Sequence, residues 1–269
     1  MHGSVNSEET LLAAAISHLD TDDFPNRLSA WLKSCLSYDN ITILAYFQNQ
    51  PPVSLMFENH QPKVHENISQ IYLAGAYLLD PFYVLHLKNV PTGVYRLSDI
   101  APDKFRRNQY FIEYYGNTTI VDEFAFVSYP TTGTSLHVCL GRDSNSNKRF
   151  TTRELAIARR LSPVVTALAS RYWRDLMSGG EMTENSVSAS LIEVTKQAYG
   201  ISLTPRQAEV AMLVLQGHSS VSIGLKLGIS FQTVKVFRKQ LYRKCKISSQ
   251  AELFNLMLPI LGSLSETPN

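Results

Sequence analysis

The sequence predicts an α+β unit, an antiparallel sheet flanked by helices, followed by an all-α unit of four short helices. Three observations predict it. The patterns run as helices, a hairpin, helices, a second hairpin and one long helix, which suits helical layers on an antiparallel sheet. Residues 178–190, SGGEMTENSVSAS, are polar and glycine-bearing, the composition of a linker. Residues 203–258 then pack four helical patterns between turn signals. The expected division is 1–177, a linker over 178–199, and 200–269.

A chain of 269 residues with 44% hydrophobic and 18% charged residues can bury a core in each unit. Its net charge of +2 divides unevenly. Residues 201–269 carry eight Lys/Arg against three Asp/Glu, and residues 1–200 seventeen against twenty. A positive terminal unit on a mildly acidic body implies that only that unit touches a polyanion. Cys35, Cys139 and Cys245 lack metal or redox spacing, which fits a reducing compartment. The start, MHGSVNSEET, lacks a signal peptide's basic residues, and Asp80-Pro81 interrupts the longest apolar run, Ile71 to Leu87. The expected location is cytoplasmic, away from membranes.

Taken in order, Leu11 to Leu19 forms a short helix. Asp22-Asp23-Phe24-Pro25 is a solvated turn into the next helix, not a phosphorylated acid pair, because no apolar strand precedes it. Leu28, Trp31, Leu32, Cys35 and Leu36 fall on one helical face, with Cys35 as core filler. Ile41 to Phe47 and Val53 to Phe57 are strands around Pro51-Pro52. A long helical region runs from Val64 to about Lys88, interrupted at Asp80-Pro81. Val94 to Leu97 is extended, and Asp103 to Tyr115 is an aromatic-rich helix. Ile120 to Tyr129 and Ser135 to Leu140 flank the turn at Thr131-Thr132-Gly133. The last helix of this unit, about Thr152 to Leu176, bends or breaks near Pro163. After the linker, Leu191 to Tyr199 adds a short helix.

In the terminal unit, Thr204 caps a helix with Pro205 at its first position, and Gly217 ends it. Ser220 to Leu227 follows, with Gly224 allowing close contact and Gly228 supplying a turn. Ser230 caps the third helix, Phe231 to about Cys245. Val234, Phe237, Leu241 and Cys245 form its core stripe at about 100° per residue. Gln232, Lys235, Val236, Lys239 and Arg243 gather on the other side. Cations suit phosphates or guanine edges, an amide can pair with adenine, and a small apolar side chain can meet a thymine methyl. This is the grammar of a helix-turn-helix, although the charges alone fit a solvated face equally well.

Thr204, Arg206, Glu209-Val210, Gly217, Ile229-Ser230, Thr233-Val234-Lys235, Lys244 and Ile247 resemble the LuxR/FixJ-type DNA-binding domain. The resemblance implies that Lys235, Val236 and Lys239 face bases, while Thr233, Arg238 and Arg243 contact phosphates. It also implies double-stranded DNA as partner and a homodimer on an inverted repeat. The fourth helix, Gln250 to Leu261, would pair subunits through Leu253, Leu256, Met257 and Ile260, unless that face only covers its own unit's core. Gln207 stands where the family usually has an acid, which would loosen an internal ion pair of Arg206. Phe237 and Cys245, replacing a common histidine and leucine, fall on the packing side.

Residues about 70–175 resemble the sensor region of a group of LuxR-type bacterial regulators, similar to GAF and autoinducer-binding domains. The stretches are Leu79-Asp80-Pro81-Phe82-Tyr83, Gly93-Val94-Tyr95-Arg96-Leu97, Asp122-Glu123-Phe124-Ala125-Phe126, Leu140-Gly141-Arg142, Phe150 to Glu154 and Tyr172-Trp173. Tyr72 and Asp80-Pro81 are roughly in register with ligand contacts of acyl-homoserine-lactone receptors. Tyr95 stands where those receptors carry a lactone-contacting tryptophan, so the ligand's class stays open. The expected small-molecule contacts are Tyr72, Tyr77, Asp80 and Tyr95, with Tyr114 and Tyr115 as further pocket candidates.

Two other readings remain at this point. His137 and Cys139 share one side of a strand and could form a nucleophile pair in an enzyme-like domain tethered to a DNA-targeting unit, or simply line core. The first unit could also serve dimerisation without a ligand. No metal-ligand spacing, nucleophile elbow or phosphate loop is present, so no catalytic residue, metal or cofactor is assigned.

Overall fold

One sheet organises the computed structural model, which describes residues 7–48, 50–59, 61–66, 68–176 and 184–266. Helices α1 (Glu8–Ser17) and α2 (Phe24–Cys35) precede strands β1 (Asn40–Phe47) and β2 (Val53–Asn59). Next come α3 (Pro81–Leu87), β3 (Gly93–Arg96), α4 (Leu97–Ile100) and α5 (Gln109–Glu113). The hairpin β4 (Ile120–Thr131) and β5 (Thr134–Asp143) and the long α6 (Thr152–Tyr172) follow. All neighbouring strands are antiparallel, in the order β2-β1-β5-β4-β3. The hairpin turns on Thr132-Gly133, with Gly133 at φ 76°.

Alternation along each strand divides the core. Ile41, Ile43, Ala45 and Phe47 join Phe124, Phe126, Leu136, Val138 and Leu140 against α2 and α6. Phe124 and Phe126 are fully buried there, each contributing roughly 2–3 kcal/mol through burial. Leu44, Tyr46, Ala125, Val127 and Cys139 face the opposite core. Cys35, on the expected face of α2, is only half-buried. Asp23 lies at the start of α2 and accepts from Asn26 and Arg27, as a solvated turn should.

The cover of the second sheet face departs from the expected long helix over 64–88. The chain instead makes a 3₁₀ turn at Pro62–Val64, a π turn at Ile68–Tyr72 and a 3₁₀ turn at Ala76–Leu79 before α3. Gly75 sits at φ 141°, a value no helical residue adopts. Asp80, ahead of Pro81, is extended and caps α3 by accepting from the Phe82 N–H at 2.7 Å. The expected helix over 103–115 is broken in the same way. After a 3₁₀ turn at Phe105–Arg107, Asn108 is extended and accepts from the Phe111 N–H at 2.7 Å, restarting the chain as α5.

Helix α6 opens on a capping box between Thr151 and Glu154 and runs unbroken through Pro163. Pro163 is exposed, and so is Arg159, whose carbonyl loses its partner; water can satisfy it there. Residues 178–183 of the expected linker lie outside the described residues. From residue 184 the chain is helical, in α7 (Glu184–Tyr199), because Val187 and Leu191 find a core to enter. The terminal helices are α8 (Pro205–Leu215), α9 (Ser220–Leu227), α10 (Phe231–Cys245) and α11 (Gln250–Glu266).

Candidate nucleic-acid interface and sensor cavity

The turn between α9 and α10 is built by three local devices. Gly228 closes α9 in the left-handed region at φ 64°. Gly224 lies so close to the turn that a Cβ on it would come within 2.8 Å of the Ile229 carbonyl oxygen. Ser230 accepts from the Thr233 N–H at 3.0 Å, capping α10. Val234, Leu241 and Cys245 are buried and Phe237 half-buried, which fixes the helix's rotation about its axis.

That rotation leaves Gln232, Lys235, Val236, Lys239 and Arg243 exposed. Val236 is 53% exposed although apolar, and the Lys235 ammonium sits 4.3 Å from the centre of the Phe231 ring. The result is a cationic strip with one small apolar side chain and one amide, at the scale of a base-edge reader. Thr233 lies at the edge of this strip, with its hydroxyl 2.7 Å from that of Ser230.

Arg238 is placed differently from its neighbours. It is half-buried, donates to the Ser220 hydroxyl and the Tyr242 hydroxyl at 3.2 Å each, and ties α10 to α9. Its position lies about 60° around the helix from Lys235, at the near edge of the exposed strip. The ion pair expected to loosen at Arg206 is made within α8 instead, to Glu209 at 2.7 Å. Gln207 completes a capping box with Thr204, and its Oε1 accepts from Lys244 at 2.9 Å.

The second candidate site is a cavity of about 40 Å³ between the sheet and its irregular cover. Tyr72, Asp80, Tyr114 and Tyr115 line it, together with Tyr46, His65, Phe82, Glu123 and Cys139. Tyr77 packs edge-on against Tyr83, outside the lining. Tyr95 is not brought to the cavity either: it lies on edge strand β3 and donates to the Pro91 carbonyl at 2.7 Å. Sequence reasoning missed Tyr46, Tyr110 and Glu123. For two of them the signal was parity, since Glu123 shares its strand face with the inward Ala125 and Val127, and Tyr46 with Leu44.

Asp80 is the hub of this cavity. One carboxylate oxygen caps α3; the other accepts from the Tyr110 hydroxyl at 3.1 Å and from Tyr115 at 3.4 Å. Tyr115 is equally placed to donate to Glu123, at 3.4 Å. Burial pushes the Asp80 carboxyl up to about 6 against the pull of these donors. Burial, and then the nearby Asp80 charge, push Glu123 up to about 8. The Tyr46 and Tyr72 hydroxyls bond each other. His137 shares the Ser135 hydroxyl with His86 and does not activate Cys139, whose thiol burial pushes well up.

The segments that wall the cavity also hold the terminal helices. Between Tyr72 and Asp80, Gly75 packs so tightly on α11 that a Cβ would meet the Gly262 nitrogen at 2.6 Å. The Leu78 carbonyl accepts from Gln216 at 3.4 Å. Ahead of Tyr110, Asn108 donates to the Leu215 carbonyl, and the Lys104 N–H donates to the Gly217 carbonyl, both at 3.0 Å. Asp103 accepts from the Ser219 N–H at 2.9 Å, at the start of α9. On α11, Leu253, Met257 and Ile260 are buried within the same chain, against α7, α8, α5 and the turn at Ala76–Leu79. The apolar face offered for pairing subunits is therefore covered here.

Among the described residues, no group of His, Cys, Asp and Glu could hold a metal ion, and no helix is long and apolar enough to cross a membrane.

Residues 201–257 match the family model of bacterial regulatory proteins, luxR family. A protein of Aeromonas salmonicida, named for the role of HTH-type transcriptional regulator in the exeN 3' region, is 30% identical over 184 residues, covering 66% of this chain and 93% of that protein. The crystal structure of the VqsR LBD domain from Pseudomonas aeruginosa is 25% identical, with a TM-score of 0.52, over 62% of this chain and 98% of that one. Escherichia coli SdiA is 15% identical, with a TM-score of 0.39, over 96% of this chain and 99% of its own. On the family model and the 30% identity across nearly all of the Aeromonas protein, the chain belongs to the luxR family of bacterial regulatory proteins, as a helix-turn-helix transcription regulator with an autoinducer-binding-like N-terminal domain.

Proposed function

We propose that the chain reads DNA through the exposed strip of α10 and adjusts that reading to a small molecule held in the tyrosine-lined cavity. The single observation that supports this most is the double duty of two segments. Residues 72–80 begin and end in the cavity and touch α11 and Gln216 in between. Residues 103–115 run from the Ser219 and Leu215 contacts to the hydroxyls on Asp80. A ligand that favours another arrangement of Asp80 and its tyrosines shifts the docking of the terminal helices by its differential affinity for the two arrangements.

Lys235, Val236 and Lys239 take the base edges in this reading, with Gln232 beside them. Thr233 and Arg243 take phosphates. Arg238 contributes first by holding α9 to α10. The functional division falls near residues 177 and 200, with α7 as a connecting helix that packs on α8 and α11. Release of α11 from the cavity segments would uncover the part of its apolar face that they hold, alongside the part packed on α7 and α8, for pairing two subunits on an inverted repeat. Genomic footprinting of the full chain tests the reading. Discrete protected sites with two-fold symmetry support it, and an absence of sequence-selective protection overturns it.

A further inference from the structure

Two carboxyls are buried in the sensor cavity without a positive charge. Asp80 is 2% exposed and Glu123 8%, and among the described residues neither is paired with Lys, Arg or His. The adjacent Asp122, by contrast, faces the other way into an ion pair with Arg96. Asp80 is surrounded by hydroxyl and N–H donors. Glu123 has one donor, Tyr115, shared with Asp80.

A buried acid normally has a cation or several strong donors, because its desolvation is otherwise uncompensated. His65 cannot supply the charge: it lines the cavity, but burial lowers its pKa to about 4, so the ring is neutral. It nevertheless leaves its Nδ1 buried without a hydrogen-bond partner, on a side chain only 8% exposed. The remaining wall is aromatic, from Tyr46, Tyr72, Phe82, Tyr114 and Tyr115. Aromatic faces attract cations, and most strongly when water is excluded. At about 40 Å³ the cavity has room for one compact polar head and no more without rearrangement.

We propose that the ligand of this cavity is an organic cation, an alkylammonium-type head seated between Asp80 and Glu123 and walled by the tyrosines. The inference rests on the reading of the cavity as the signal site and adds the chemical class. Asp80 supplies the charge, Glu123 adds to it by releasing its proton as the cation enters, the rings supply the cage, and the His65 nitrogen accepts a hydrogen bond from the head.

The test uses the full chain and a matched probe series: n-alkylammonium ions from ethyl to octyl against n-alkanols and n-alkanoates of equal length. Thermal shift and calorimetry read the binding. The ammonium series should bind at least tenfold more tightly than the alcohols, with the carboxylates weakest, and Glu123→Gln should cut that preference severalfold. The comparison within the native chain does not depend on how the variant folds. Alcohols binding as well as ammonium ions would overturn the cationic class while leaving the cavity as a ligand site. No binding by any member would overturn both the class and the signal-site reading.

Discussion

The Asn108 side-chain amide donates to the main-chain carbonyl of Leu215 at 3.0 Å, joining a segment that walls the cavity to the last residue of α8. Asn108 is 1% exposed, and its carbonyl oxygen also caps α5. One side chain thus sets both the helix that carries Tyr110 to Asp80 and the docking of the terminal helices.

Replacing Asn108 by alanine should destabilise the chain by about 2 kcal/mol or more, since a buried acceptor and a helix-start donor are both left without a partner. Urea unfolding measures this. Asn108→Ser keeps an oxygen that can cap α5 but is too short to donate to the Leu215 carbonyl, so its effect should be smaller and expressed as undocking. Faster hydrogen exchange confined to α8 and α11 is the expected signature.

Gly75→Val should also separate the units. Its φ of 141° disfavours any side chain, and the Cβ would collide with the main chain at Gly262. The expected result is reduced protection over residues 253–261 with the sheet's exchange unchanged. Global unfolding without such selectivity would argue that the packing of Gly75 on α11 is only structural.

On α10, Lys235→Ala and Lys239→Ala should each weaken DNA binding by about 1–3 kcal/mol where they read bases. Arg238→Ala should lower the thermal stability of the terminal helices as well, because the residue holds Ser220 and Tyr242. Gel-shift titration at fixed salt, paired with thermal melts, distinguishes the two behaviours.

Gln207→Glu should stabilise the terminal helices by about 0.5–1 kcal/mol, placing a carboxylate beside Lys244 and at the first turn of α8. A drop in stability would show that the amide's bond to Gln240 outweighs the new charge.

Stability should fall as pH rises from 6.5 to 8. Glu123, raised to about 8, holds in the folded chain through this range a proton that it releases when unfolded, whereas Asp80, raised to about 6, gives up its own below it. Their contribution is present below the unfolded carboxyl range and is lost as pH climbs through the folded values. The neutral His65, His86 and His218, each lowered to about 4, act oppositely and remove stability as pH falls from 6.5 towards 4. Glu123→Gln should flatten only the alkaline limb, as thermal melts across the range would show.

Strands, helix caps and the exposed strip of α10 were legible because each rests on local rules. Period-two alternation marked β1, β4 and β5, and Ser230, Gly228 and the 3.6-residue period oriented α10. What escaped depended on distant partners. Residues 64–79 carry helical spacing, but Gly75 takes φ 141° to approach α11, and no local pattern announces Gly262. Polar composition suggested a linker from 178, yet Val187 and Leu191 become helical once α8 and α11 offer them a core. Tyr95 occupied the expected place in sequence, while the edge position of β3 turns it to Pro91.

The most direct test of the coupling between cavity and α10 is the DNA affinity of Asn108→Ser relative to the native chain. Fluorescence anisotropy on a footprinted fragment, at fixed salt, supplies it. Undocking should uncover the part of α11 that the cavity segments hold, allow it to pair subunits, and tighten binding by about fivefold or more, which is roughly 1 kcal/mol. Equal affinity for the two chains, even though the shortened side chain no longer reaches the Leu215 carbonyl, would contradict the account.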